Sequence, residues 1–137
     1  MFLSPNLVTT DSRHFEIKLD ADPRFAAAAA GGARYLGESS GLTPEAAQRL
    51  QAATLFACEE AFAQLDNVHC QVEIGLAQFP DRIEVSIVHH GSAAPSIGLH
   101  TLLSAGQNPT AGVDRVQYEQ QGNASVTRLT KYLDLHS

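Results

Sequence analysis

Cys70-Gln71-Val72-Glu73-Ile74-Gly75-Leu76-Ala77-Gln78-Phe79-Pro80-Asp81-Arg82-Ile83-Glu84-Val85-Ser86-Ile87 is the stretch that decides the fold. Cys70, Val72, Ile74 and Leu76 alternate with Gln71, Glu73 and Gly75. Beyond Phe79-Pro80-Asp81 the alternation resumes with Ile83, Val85 and Ile87. Successive strand residues leave opposite faces, so a period of two marks strands buried on one side only. Two such runs separated by a short breaker make a hairpin, and hairpins build antiparallel sheets with one face on a core and one in water.

Upstream, His14 to Asp20 alternates in the same way and predicts the first strand. Asp22 before Pro23 is an N-cap followed by proline at the first helical position, so a helix starts there and runs to about Gly37, closed by Ser39, Ser40 and Gly41. Gly31 and Gly32 weaken that helix, which implies close packing on a neighbour or a local break. Thr43-Pro44-Glu45 repeats the cap and opens a second helix, expected to end near Asp66 and Asn67. Downstream, residues 97–105 read as a short helix, 107–112 as a loop, and Val113 to Glu119 and Ala124 to Leu133 as two strands parted by Gln121-Gly122-Asn123. The expected fold is one two-layer α/β (α+β) sandwich with its helices on one face of a mostly antiparallel sheet. Residues 1–13 read as a loose tail and 14–137 as a single domain.

The second helix carries two stripes. Ala46, Leu50, Ala53, Ala57, Glu60, Ala61 and Gln64 share one side at helical spacing, and Leu55, Cys58, Phe62 and Leu65 share another. The bulky stripe is expected on the sheet and the small one against a further surface that approaches closely. On that small side Glu60 and Gln64 either bond nearby backbone at the rim of the core or face a ligand or partner. In the first helix, Ala26 to Ala30 are consecutive and cannot all face one neighbour, so part of the surface from Ala26 to Gly32 is expected to be exposed or to lie in an interface.

With 44% hydrophobic residues in 137, the chain can bury a proper core. A formal charge of −6 without a Lys/Arg run argues against direct nucleic-acid binding, which draws on clustered cations. Cys58 and Cys70 lack zinc-ligand spacing, and both read as reduced, Cys58 in the core. The opening residues lack a basic region followed by an apolar run, and no stretch approaches a membrane span, so a soluble cytoplasmic protein is expected. His89 and His90 are adjacent at a strand end and leave opposite faces, so a shared metal would need His69 or His100 to join one of them. No nucleophile elbow and no P-loop is present.

In this order of elements Phe15-Glu16-Ile17-Lys18-Leu19, Asp22-Pro23-Arg24-Phe25, Gly41-Leu42-Thr43-Pro44-Glu45, Ala57-Cys58-Glu59-Glu60-Ala61-Phe62-Ala63-Gln64, Arg82 to Ile87, Ser96 to Leu102 and Val113 to Tyr118 occupy the joints. Together they resemble the ATP-binding domain of the GHKL (histidine-kinase-like) ATPase superfamily, in its bacterial anti-sigma factor and serine-protein kinase branch. The resemblance implies a Bergerat-type mixed, mostly antiparallel sheet. It places Glu60 near the phosphates, as the catalytic carboxylate if the protein is a kinase, and Gln64 where an Asn would hold Mg²⁺. It puts His89 where an Asp would receive the adenine amino group, and Gly91 and Gly98 beside the nucleotide.

Three of those positions depart from the family pattern. Gln64 is longer than Asn by a methylene, and Mg²⁺ tolerates displaced ligands poorly. His89 lacks the carboxylate's charge and shape. Ser96 stands where a glycine is expected, and only residues 92–97 remain for the lid. What the resemblance then implies is an anti-sigma-factor-like regulator with ATP binding weakened or lost, partnered by a sigma factor, an antagonist protein or a second copy of itself. No cofactor is expected under this reading; Mg-ATP belongs to the alternative, an active ATP-dependent serine-protein kinase.

Overall fold

A computed structural model of the protein describes residues 13–65, 70–90 and 112–133. The alternating stretches form β1 (Arg13–Asp20), β2 (Gln71–Phe79), β3 (Arg82–His90), β4 (Arg115–Gln121) and β5 (Ala124–Tyr132); the capped stretches form α1 (Pro23–Ser39) and α2 (Pro44–Ala63). The strands make one sheet in the order β1-β2-β3-β5-β4, every pair antiparallel. Val72, Ile74, Leu76, Ile83, Val85, Ile87 and Leu129 point from one face into a core shared with both helices. The opposite face carries ion pairs, Arg82 with Glu84 at 2.7 Å and Arg128 with Glu119 at 3.1 Å. The protein is therefore a two-layer α+β sandwich with its helices on one side. Among the described residues the sheet has no parallel pair, so the mixed sheet expected from the resemblance is not found there.

Both caps form as read. The Asp22 carboxylate accepts from the backbone of Arg24 at 3.0 Å, and the Thr43 hydroxyl oxygen from that of Ala46 at 3.1 Å, each satisfying a donor that the first helical turn leaves over. Gly31 and Gly32 do not break α1. A Cβ on Gly32 would come within 2.7 Å of Leu76 Cδ1, so that glycine lets the helix approach β2, whereas Gly31 faces open space. On the neighbouring side, Gly37 admits Leu50 and Ala47 of α2, and the Arg34 guanidinium donates to the Gln51 side chain at 3.1 Å.

Several expectations need correction. The surface that covers the small stripe of α2 belongs to the same domain: Leu50, Ala53, Ala57 and Ala61 are buried together with Cys58 and Phe62 of the bulky stripe. The physical reason is that α2 meets α1 on one side and β3 and β5 on another, and two neighbours cover more of a helix than one stripe. The helix also stops earlier than expected, at Ala63. Gln64 caps its end, its backbone N–H reaching the carbonyls of Ala61 and Phe62. Strand β4 starts at Arg115 rather than Val113, because Gly112 is pressed on the α2 backbone and Asp114 bonds sideways to β5, donating to Thr130 and accepting from Tyr132. Cys70 lies just ahead of β2, its carbonyl accepting from Ala21. The tail up to Ser12, the helix read at 97–105, and His69, Gly91, Gly98 and His100 lie outside the described residues.

Candidate functional site

Directly opposed residues of an antiparallel pair share a face, so the register defines rows across the helix side of the sheet. One row runs Leu19, Val72, His89, Ser125, Gln120; the next runs Ile17, Ile74, Ile87, Thr127, Tyr118. Both begin apolar under α1 and turn polar toward β5 and β4. His89, Ser125 and Thr127 are buried there, with His89 at 0% exposure. The Ser125 hydroxyl donates to the Gln120 side-chain oxygen at 3.0 Å.

The last turns of α2 reach this polar end. Burial, and behind it the nearby Glu60 carboxylate, raises the pKa of the Tyr118 phenol, because both disfavour a phenolate. Glu60 thus stands by the row next to that of His89, and Gln64 follows it at the cap, each partly exposed. Gly91 and Gly98 lie outside the described residues.

His89 is the most unusual member. Neither ring nitrogen has a hydrogen-bond partner among the described residues. Desolvation, followed by the charge of adjacent His90, lowers its pKa, so the ring is neutral at pH 7. His90 is exposed on the other face, as expected for adjacent strand residues. A neutral imidazole offers one donor and one acceptor. Ser125 lies opposite it in register but bonds Gln120 instead, so no hydroxyl is activated by a histidine here, as a nucleophile–base pair would require.

Tyr118, Gln120, Ser125 and Thr127 were not singled out from the sequence. The signal was present in the turn: with Gly122 and Asn123 between strands, Gln121 pairs with Ala124, which sets Gln120 opposite Ser125 and Tyr118 opposite Thr127. Gly122 adopts φ 61°, a left-handed conformation that favours glycine. Cys58 is buried in the core as read, its thiol pushed up to about 12 by desolvation, and both cysteines are free. Among the described residues, no three His, Cys, Asp or Glu side chains gather as a metal site, and no helix is long and apolar enough to cross a membrane.

Against known proteins, the chain matches no family model and no curated protein.

Proposed function

We propose that the protein is a regulatory module that works by binding other proteins, in the manner of an anti-sigma factor in partner switching, with its nucleotide site weakened or lost. The observation that carries this reading is His89. At the position resembling the family's adenine-receiving carboxylate stands a buried, neutral imidazole facing the core side of the sheet. It can neither supply the missing charge nor reproduce a carboxylate's two acceptors. Gln64, in place of the Mg²⁺-holding Asn, sits at the helix cap rather than within the last turn. The partner would be a sigma factor or an antagonist protein, met in the cytoplasm. The free state of both cysteines agrees with a reducing compartment. Glu60, retained and partly exposed near Tyr118, is the observation that keeps the serine-protein kinase as second reading.

Affinity capture with the full chain separates the two. The regulator reading expects the same partner to be recovered with and without Mg-ATP, and to carry no new phosphate. Recovery that requires nucleotide, or phosphoserine appearing on the captured protein, would overturn it in favour of the kinase.

A further inference from the structure

Strand β4 ends the sheet beyond β5, and among the described residues no strand pairs with its outer side. It contains no proline, and its register with β5 runs residue for residue from Arg115 to Gln121 without a bulge. Such an edge offers a row of main-chain N–H and C=O groups to another strand, unless charges along it deter pairing.

The charges on β4 are few and unequal in their engagement. Glu119 is held within the sheet: one carboxylate oxygen pairs with Arg128 at 3.1 Å, and the other accepts from the Gln121 side chain at 3.2 Å. Arg115 is exposed, and among the described residues neither an ion pair nor a hydrogen bond engages its guanidinium. Both stand on the open face, opposite Val126 and Thr130 respectively. On the helix side Val116 packs against the core and Tyr118 is half-buried. A strand arriving at this edge therefore meets one unanswered cation on one face, and an apolar and an aromatic side chain on the other.

We infer that the edge takes an extended segment of a partner protein as a further strand, antiparallel to β4, with a carboxylate opposite Arg115 and apolar side chains opposite Val116 and Tyr118. In this mode main-chain hydrogen bonds supply affinity and alternate side chains supply selectivity. Antiparallel pairing continues the pattern of every pair in the sheet. Run antiparallel, the residues opposite Tyr118, Gln117, Val116 and Arg115 follow one another in that order. The partner segment thus reads apolar, any residue, apolar, acidic, its carboxylate accepting charge-assisted bonds from the guanidinium. A second copy of β4 is a poorer occupant. Its Glu119 would have to leave Arg128 to meet Arg115, and each chain carries a formal charge of −6 that repels its like.

The inference rests on the reading of the protein as a binding module, but it is tested on the full chain alone. Peptides selected against the wild type from a random display library are expected to share the order apolar, any residue, apolar, acidic. A synthetic peptide of that consensus should protect the β4 amides from hydrogen exchange. Arg115→Glu should weaken the peptide about tenfold or more and, on reselection, turn the acidic position basic. Lys18→Glu, on the opposite edge of the sheet, should do neither. No enriched peptide, a consensus lacking the acidic position, or a binder that protects residues away from β4 overturns the inference. So does an Arg115→Glu variant, folded by circular dichroism, that holds the wild-type peptide undiminished. None of these results touches nucleotide-independent capture of a partner, whereas capture that requires nucleotide would overturn the regulatory reading and leave peptide binding at β4 standing.

Discussion

Gly112→Ala is expected to lower the unfolding free energy by about 3 kcal/mol, the upper end of what an overpacked site costs. Gly112 is buried where the chain arrives at β4, and a Cβ there would lie on the carbonyl oxygen of Arg49 and 2.8 Å from the Leu50 nitrogen. Both atoms belong to the interior of α2, so neither can rotate aside as a flexible side chain would. The added methyl must push the segment off the helix or open the helix itself. Gly31→Ala supplies the opposite sign: nothing lies within 4 Å of the new Cβ, and in mid-helix alanine should stabilise by about 0.5–1 kcal/mol. Urea unfolding of both variants reads the difference as midpoints displaced in opposite directions. If Gly112→Ala unfolds with the wild-type midpoint, the close seating of that segment on α2 is wrong.

The second large effect is on acid stability. The folded pKa of His89 lies below its ordinary value, chiefly because burial penalises the imidazolium. As pH falls through about 6.5 the unfolded chain takes up a proton that the folded chain refuses, so stability is full above that pH. It is then lost, at up to about 1.4 kcal/mol per pH unit, until the lower folded pKa is reached. His89→Leu removes the titrating group and also two buried nitrogens that have no partner among the described residues. It should raise stability at pH 7.5 by about 1–3 kcal/mol, the cost of an unsatisfied buried polar group. It should also flatten the wild-type decline between pH 6.5 and 5.5, above the range where most carboxylates titrate. Denaturant melts at several pH values test this, and an equal decline in wild type and variant would assign the acid sensitivity elsewhere.

The parts of the fold set by local chemistry were legible in the sequence. Alternation located β1, β2 and β3, and the Asp22-Pro23 and Thr43-Pro44 caps located both helices to within a few residues at their starts. Ends were less legible, since the stop of α2 at Ala63 depends on tertiary packing and no glycine or proline marks it. The small stripe of α2 was legible, but such a stripe has two meanings. It can await a partner, or it can let a helix settle close on its own domain, and Leu50, Ala53, Ala57 and Ala61 do the latter. The candidate site was half legible: helical spacing marks Glu60 and Gln64, alternation sets His89 at a strand end, and the resemblance adds only their roles. Tyr118, Gln120, Ser125 and Thr127 entered only once the register of β3, β5 and β4 was known. A period of two tells which residues share a face, but not which faces of distant strands lie side by side.

The central claim, recognition without nucleotide chemistry, is tested most directly by titrating Mg-ATP and Mg-ADP into the full chain in a calorimeter. The account predicts no saturable heat at micromolar nucleotide and, in parallel melts, stabilisation well under the roughly 2.7 kcal/mol that a hundredfold excess over Kd confers. Saturable binding with a micromolar Kd would contradict it, because a site with His89 as adenine acceptor and Gln64 beside the metal would then be a working nucleotide site.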